Sequence, residues 1–478
     1  MLRHRPLWVS LAALAALTLR LDNSVRADEA LTLFTGDWIR RSWSTGEEVY
    51  SQPGTFFGGV PSLYPPLGSA VESVTGLIGA RFLSLVFMAM ATVAVFAIAD
   101  ALFDTGTGWH PGSPAAALFA TSGPVLVHAH LAIPQTAALA VLLVGFALAL
   151  RVMNDAPETL RIVLLTVAAG MVLGFSVVLS YSTLVALPFV LAVLCGRASR
   201  AGSTPDARNR QLALVVGVLQ PVVACVTLAG TTWLIGARAT LARLAPSLDL
   251  GSVLFHTVAW SIVPLGLALV APAVVARPAQ RVVRVLAAGV AVLVLRQLFA
   301  GGDPTAYLGL ALALAVPAGG LLLATLAKVR WGWVALAAIG YAALTTGMGQ
   351  SQTVVQSWPD STPLVRQVTY AVDAMPWIRM LGESPEAVQF GLWGRLEPWQ
   401  VEATYPGSFR YHGRTDIEAI RAALADNYVQ LVFFDGSTEA GRAIDPTAYG
   451  FRLTDTVPQS GSTGTWRIYQ RFDAVPAP

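Results

Sequence analysis

Between residues 26 and 81 the chain reads Arg26-Ala27-Asp28-Glu29-Ala30, then Tyr64-Pro65-Pro66-Leu67, and then Gly76-Leu77-Ile78-Gly79-Ala80-Arg81. An apolar run at 6–21 precedes the acids, and a longer one at 79–103 contains the arginine. Asp28 and Glu29 therefore follow one candidate membrane span by a few residues, and Arg81 opens the next. A carboxylate placed there can face a substrate whose tail lies in lipid and whose head lies in water. The same two acids also suit the first turn of a helix, where they would complement its dipole.

Composition extends this reading to the whole chain. Of 478 residues, 55% are hydrophobic and only 12% are charged, with a mean hydropathy of +0.60. A soluble domain carries roughly 25% charged residues, so much of this surface must meet lipid. The net charge of +3 gives no basic footprint for nucleic acid. Cys195 and Cys225 both fall in apolar runs and read as small hydrophobes. No metal-type Cys/His spacing or disulfide framework is present.

Runs long enough to cross a bilayer lie near 6–21, 79–103, 113–129, 132–151, 161–180, 182–196, 211–235, 252–276, 283–300, 304–326 and 331–348. They give about eleven spans by the hydropathy criterion. The stretch 161–196 reads either as two short helices around Ser180-Tyr181-Ser182 or as one helix with an irregular tail. The first run lacks a small-x-small cleavage site before Asp22 and reads as an uncleaved span. Arg3 and Arg5 precede it, which places the N-terminus in the cytoplasm. Alternation then puts Arg151 and Arg161, the group Arg197, Arg200, Arg208 and Arg210, the group Arg277, Arg281 and Arg284, and the pair Lys328 and Arg330 in cytoplasmic loops. The short outer loops hold chiefly Arg238 and Arg243. An odd number of spans leaves the C-terminal region outside the cytoplasm.

Two regions are not membrane. Residues 22–78 form a long outer loop, and loops of that length are uncommon unless functional. Its segment 37–43, Asp-Trp-Ile-Arg-Arg-Ser-Trp, suits a short helix in the headgroup layer or a plain solvated connection. From 349 the charged and turn residues return. Thr415–Tyr428 reads as an amphipathic helix and Val429–Phe434 as a buried strand ended by Asp435-Gly436. Further strands are expected at Gly450–Thr454 and Thr465–Arg471. The expected organisation is a transmembrane domain over 1–348, with a catalytic outer loop at 22–78, and an extracytoplasmic α/β domain over 349–478. No catalytic motif is evident in the latter.

The order short span, Asp-Glu, long loop, aromatic-Pro-Pro-Leu, Gly-x-x-Gly-Ala-Arg, long apolar helix resembles the N-terminal region of the dolichyl-phosphate-mannose–protein mannosyltransferase-like superfamily. That superfamily, of the GT-C glycosyltransferase class, includes the bacterial transferase that adds aminoarabinose to lipid A. The motif order is specific over residues 20–105, and the plan of many spans followed by an outer domain is shared. The resemblance implies an inverting glycosyltransferase in a bacterial plasma membrane. It would move a hexosyl or pentosyl group from a polyprenyl-phosphate sugar to an acceptor glycan, lipid or protein. It also implies that Asp28 is the catalytic base, that Glu29 supports it or binds acceptor, and that Arg81 meets a phosphate or headgroup. Tyr64 belongs to the motif before the second span.

Other residues in the spans are candidates for substrate contacts. His128 and His130 stand before Ala132-Ile133-Pro134, where several family members follow with an acid; here the place holds Gln135. Histidines at i and i+2 do not face together on a helix, so polar contacts are expected of them rather than a shared metal. The outer loops contain no Asp-x-Asp, and no resident cofactor or divalent metal is expected beyond the lipid-linked donor. Arg296, followed by Gly301-Gly302-Asp303-Pro304, is a candidate phosphate ligand or a member of an internal ion pair, since arginine within a span usually has a purpose. Two other classes stay open. A transporter or flippase would show intramembrane acids or broken repeats, which are scarce here. A non-catalytic relative that binds lipid-linked sugar would usually lose Asp28.

Overall fold

In a computed structural model the described residues are 5–18, 21–46, 63–103, 110–154, 159–198, 213–227, 250–300, 304–356, 360–383, 385–404, 409–436, 438–458 and 464–471. The chain forms two compact units. One contains Met1–Leu21, Phe57–Tyr64 and Ile78–Thr353; the other contains Asp22–Phe56, Pro65–Leu77 and Val354–Pro478. The units cut across the linear division at 348/349, because Asp22–Phe56 and Pro65–Leu77 fall in the unit with Val354–Pro478.

The first unit is helical. It contains α1 (Arg5–Leu17), the greater part of α3 (Tyr64–Leu102), α4 (Gly112–Ala120), α5 (Gly123–His130), α6 (Pro134–Asn154), α7 (Thr159–Leu179) and α8 (Thr183–Ala198). After these come α9 (Ala213–Thr227), α10 (Leu250–Val274), α11 (Arg277–Ala300), α12 (Pro304–Leu326) and α13 (Gly332–Gln356). Lipid offers no hydrogen bonds, so a spanning backbone must satisfy its own groups, and the helix is the form that does so. In the most apolar 18-residue stretch of Tyr307–Leu326 in α12, 94% of the residues are buried, against 17% in the corresponding stretch of α13. Helix α12 is thus the axis of the unit, packed by α4, α10 and α11, and α13 offers most of its surface to the surroundings.

Among the described residues, five helices are long and apolar enough to cross a membrane, within Tyr64–Leu102, Pro134–Asn154, Arg161–Leu179, Tyr307–Leu326 and Gly332–Gln350. The apolar helices Pro6–Leu17, Thr183–Arg197, Ala213–Thr227 and Ser261–Val274 are shorter. The expected span 113–129 is two short helices, α4 and α5, because Pro124 at the start of α5 has no N–H for the preceding turn and excludes its continuation. The stretch 161–196 resolves into two helices separated at Ser180–Ser182. The expected span 211–235 is described only to Thr227, and Arg238 and Arg243 lie outside the described residues.

Helix α3 has 39 residues, a length of about 58 Å at ~1.5 Å per residue, nearly twice a hydrocarbon core of about 30 Å. It is interrupted at Gly76, where φ is 72° and ψ −178°, a conformation that only glycine adopts readily. The interruption falls close to the residue where α3 passes from one unit to the other.

The second unit joins helix α2 (Ala27–Thr45) and residues 65–77 to an α/β domain. Segment 37–43, which reads from the sequence as a short headgroup-layer helix or a solvated connection, is the second half of α2. The α/β domain comprises α14 (Thr362–Ala374), β1 (Met380–Gly382), α15 (Pro385–Gly391), β2 (Val401–Ala403), α16 (Ile417–Ala425), β3 (Leu431–Phe434), α17 (Glu439–Ala443), β4 (Arg452–Pro458) and β5 (Thr465–Gln470). The sheet order is β2-β1-β3-β5-β4, with β2, β1 and β3 parallel and β5 and β4 antiparallel to their neighbours. Alternation of side chains divides the core in two. Met380, Leu431, Phe433, Trp466 and Ile468 pack with Leu364, Val368 and Val388, while Leu381, Val432, Phe434 and Tyr469 pack with Ile420 and Leu424. Strand β4 extends beyond the expected Gly450–Thr454, to Pro458.

Helix α2 packs on α15. Phe34 meets Trp393 edge-on at 6.3 Å, and the Trp393 indole Nε1 donates to Asp37 Oδ2 at 2.9 Å. Gly36 lets α2 approach residues 65–69, since a Cβ there would lie 2.0 Å from the Pro65 carbonyl oxygen. Gly36→Val must push the two segments apart, at a cost of about 1–3 kcal/mol. The thermal midpoint of the detergent-solubilised protein is expected to fall by several degrees, and an unchanged midpoint would refute the close approach.

Candidate functional site

The sequence-derived candidates fall in both units. Asp28 and Glu29 lie in the first turn of α2, within the unit built around the sheet. Tyr64, Arg81, His128, His130 and Arg296 lie in the helical unit.

The two adjacent acids have different surroundings. Arg26, at φ −85° and ψ 152°, is the N-cap of α2. Glu29 is fully buried, and its Oε2 accepts from the Arg26 backbone N–H at 3.4 Å. A glutamate at the third helical position reaching back to the N-cap is the return half of a capping box. Asp28 turns outward instead: its side chain is 56% exposed, and its Oδ2 lies 4.0 Å from Arg26 Nε. Asp28 is thus a solvent-accessible carboxylate beside a cation, whereas Glu29 fixes the turn that presents it. The helix-start placement allowed by the sequence is observed for both.

Further along α2 lies a cluster that sequence reasoning passed over. Asp37 is buried; it pairs with Arg40 at 2.9 Å and with Arg41 one turn on, and accepts from Trp393. Arg40 also donates to Ser73 Oγ at 2.9 Å. The Asp37-Arg40-Arg41 spacing was visible as i, i+3 and i+4, but the partner 356 residues away was not. These arginines balance the charge of the buried acid of their own helix, and the Trp393 bond to the same carboxylate ties α2 to the C-terminal domain.

In the helical unit Tyr64 is buried against Phe87, Ala137, Ala138 and Leu179, with its hydroxyl 3.4 Å from Ser84 Oγ. Arg81 is 1% exposed and donates from Nη1 to the carbonyl of Leu21 at 2.7 Å. It therefore ties α3 to the segment that follows α1. His128 is buried with Nδ1 3.4 Å from Thr136 Oγ1, and the same hydroxyl donates to the His128 carbonyl at 3.1 Å. His130 Nδ1 lies 2.6 Å from the Leu126 carbonyl. A carbonyl only accepts, so this nitrogen carries the proton. The two histidines thus turn to different partners, as their i, i+2 spacing required. Arg296 sits over the ring of Tyr307 at 5.4 Å, a cation–π contact that accounts for an arginine in an apolar helix. The Gly301, Gly302 and Asp303 stretch after it lies outside the described residues. Among the described residues no group of three or more His, Cys, Asp or Glu is arranged to hold a metal.

Among the described residues of this unit, buried polar atoms without a protein hydrogen-bond partner include Gln135 Oε1, Ser261 Oγ and both amide atoms of Gln350. Leaving such groups unmet in an apolar medium is costly, and they are the groups here that polar parts of a ligand or water can satisfy. Gln135 stands where the sequence comparison had looked for an acid. Gln350 gave no signal in the sequence, because a glutamine near the end of an apolar run is read as interfacial.

The architecture is that of a polytopic helical membrane protein with a small C-terminal α/β sheet, the GT-C fold that the sequence resemblance implied. Comparison with known proteins bears this out at the level of fold. No family model and no curated protein matches the sequence. Among solved structures, ArnT from Cupriavidus metallidurans in the apo state matches with a TM-score of 0.58 at 13% identity, covering 97% of this chain and 96% of that one. The same protein bound to undecaprenyl phosphate gives 0.54 at 12%, with 99% and 98% covered. The archaeal oligosaccharyltransferase AglB from Archaeoglobus fulgidus, in complex with an inhibitory peptide and a dolichol-phosphate, gives 0.54 at 11%, covering 98% of this chain and 74% of that one.

Arg81→Ala removes the donor that meets the Leu21 carbonyl. Losing such a partner costs about 1–3 kcal/mol, so the thermal midpoint should drop. Arg81→Lys keeps the charge but not the planar fork and should fall between the variant and the parent. Equal midpoints for all three proteins would show that the contact contributes nothing to stability.

Proposed function

We propose that the chain is a membrane glycosyltransferase. It moves a sugar from a polyprenyl-phosphate donor to a hydroxyl of an extracytoplasmic acceptor, with inversion at the anomeric carbon. The observation that carries this reading is the fold shared over almost the full length of both chains with ArnT, a protein whose structure is also described with undecaprenyl phosphate.

Asp28 is the base in this proposal. Its exposed carboxylate takes the proton of the acceptor hydroxyl. The oxygen attacks the anomeric carbon on the face opposite the phosphate, the carbon–oxygen bond to phosphate breaks, and the electron pair leaves with the polyprenyl phosphate. Charge developing on that phosphate requires cationic or hydrogen-bonding groups. Arg81 and Arg296 are the proposed contacts, with Tyr64, His128 and His130 lining the polar part of the helical unit. Glu29 supports Asp28 by fixing the helix start. The apolar helices supply the groove for the lipid tail. The activated donor provides the chemistry, and no resident cofactor or metal enters the scheme. The N-terminus is proposed to be cytoplasmic and the sheet domain extracytoplasmic, in a bacterial plasma membrane.

Asp28→Asn keeps size and shape but cannot accept the proton. A positioned base contributes about 10²–10⁴-fold, so the variant should insert, match the parent in thermal midpoint, bind the lipid-linked sugar, and transfer it at least about a hundredfold more slowly on that scale. Glu29→Gln can keep its contact to the Arg26 N–H through the amide oxygen and should be milder. Near-parent turnover by a well-folded Asp28→Asn protein removes the catalytic assignment.

Sidedness is tested separately, after Cys195 and Cys225 are replaced by alanine. A cysteine at Thr456, exposed on β4, should react with membrane-impermeant maleimide in intact cells. One at the exposed Lys328 should react only after lysis. The reverse pattern would overturn the orientation, and with it the use of a donor on the outer face.

A further inference from the structure

The parallel part of the sheet has two ends, and they differ. In open α/β sheets ligands commonly bind beyond the carboxyl ends of the strands. Here that place is filled from within. Glu383, directly after β1, is fully buried. Its Oε2 accepts from the Asp435 N–H and, at 2.6 Å, from the Gly436 N–H, while its Oε1 accepts from the N–H of Thr438 at 2.6 Å and from its hydroxyl at 2.5 Å. Burial pushes the pKa of this carboxyl up, Asp435 adds to the rise, and the Thr438 donors pull it back. The loop after β3 is thereby closed around the protein's own carboxylate.

The amino ends are built otherwise. Trp399 directly precedes the Gln400-Val401 entry to β2, Arg379 precedes β1, and Tyr428 leads into β3. The strand order β2-β1-β3 sets the three side chains in a row. The Arg379 guanidinium carbon lies 4.9 Å from the Trp399 ring and 4.4 Å from the Tyr428 ring, close to the ~4.8 Å spacing of neighbouring strands. The row continues through Tyr411, 4.9 Å from Tyr428, to His412, 4.1 Å from Tyr411, with Phe409 stacked behind Tyr411 at 6.2 Å. Carboxylates border the rings. Glu402 Oε1 accepts from the Tyr428 hydroxyl at 3.2 Å. Asp426 Oδ2 accepts from the Tyr411 hydroxyl at 3.2 Å and lies 3.0 Å from His412 Nε2.

The backbone is specialised at the same place. Tyr411 and Arg414 exchange two backbone hydrogen bonds across His412 and Gly413, with φ of 47° and 77°. This is a two-residue turn needing positive φ at both central positions. Asn427, next to Tyr428, has φ 61°. Among the described residues, His412 and Asn427 are the two non-glycine residues with positive φ, and both adjoin the tyrosines of the row. Strained backbone of this kind gathers at functional sites.

We propose that this row is a glycan-binding surface that takes a neutral chain of pyranose sugars, as the acceptor side of the transferase. A pyranose has an apolar C–H face and a rim of hydroxyls. Rigid aromatic rings offer the first a large contact at low conformational cost, and the carboxylates, imidazole and guanidinium exchange hydrogen bonds with the second. The row has these groups within reach of water. Trp399, Tyr411 and Tyr428 are half-buried, the His412 side chain is 67% exposed and that of Asp426 50%. The name of the ligand's role rests on the transferase reading; the binding itself does not.

The test uses the full-length protein in nanodiscs, with saturation-transfer NMR titrations of two neutral linear probes, mannopentaose and cellopentaose. Saturable binding is expected for at least one. Tyr411→Ala should weaken it about fivefold, the loss of one ring contact, and His412→Ala about twofold or more on the same scale. Tyr370→Ala, at an exposed tyrosine on α14, which packs on the sheet face opposite Phe409 and Tyr411, should leave it unchanged. Tyr411→Phe keeps the ring and the fold and loses only the hydroxyl, so it measures the Asp426 contact if Tyr411→Ala proves unstable; it too should bind more weakly. Absence of saturable binding by both probes overturns the proposal. So does equal weakening by Tyr370→Ala, or parent-like binding by Tyr411→Ala and His412→Ala, or by Tyr411→Phe where Tyr411→Ala is unstable. Asp28→Asn should bind the probe like the parent. Near-parent transfer by that variant sinks the catalytic reading alone, whereas loss of binding to the row raises the KM for a glycan acceptor and leaves transfer to water unaltered.

Discussion

Lipid cannot hydrogen-bond to a backbone, and most features of the helical unit follow from that restriction. It makes helices of the apolar runs, and it also governs how they end. Where Pro124 and Pro134 forbid a continuous helix, the freed groups find partners nearby: Ser122 Oγ donates to the Phe119 carbonyl, and Thr136 Oγ1 to that of His128. Arg81 performs the same service for Leu21 over a sequence distance of 60 residues. A buried guanidinium is expensive unless its donors are used, so its bond to the Leu21 carbonyl, in the segment between α1 and α2, is a structural solution.

Helix α2 is governed by a different requirement. Alone, α2 would be a polar helix of 19 residues with little to hold it, since isolated helices of this length are marginal. Its stability comes from Phe34 and Asp37, which meet Trp393, and from the close approach at Gly36. The exposed Asp28 is consequently presented by a helix anchored to the sheet domain. The proposed base therefore depends on a domain that itself carries no catalytic motif.

Within that domain the Glu383 carboxylate closes the carboxyl end of the parallel strands, and the amino end carries the aromatic row. A buried carboxyl held by four donors resists opening of the loop, because opening withdraws several of its partners at once. The strand ends that many α/β proteins use for ligands are here committed to holding the loop after β3, and the exposed chemistry gathers at the opposite edge.

The sequence by itself determined that the chain is largely apolar and helical, that charged and turn residues return after 349 and that Asp28 follows an apolar run, because each is a matter of local composition and period. Apolar runs, the 3.6-residue pattern of Ile417–Ala425 and the buried run Leu431–Phe434 are legible without knowing their neighbours. It did not determine that 113–129 is two helices, since hydropathy averages over a proline. Nor could it divide the adjacent acids into an exposed Asp28 and a capping Glu29, for a dipeptide does not say which side chain turns inward. The tertiary structure alone decided that Arg81 meets Leu21, that Trp393 holds Asp37, and that Trp399, Arg379 and Tyr428 stand in a row. In each case the partners are far apart in sequence and become neighbours only through helix packing or strand order, which no local pattern encodes.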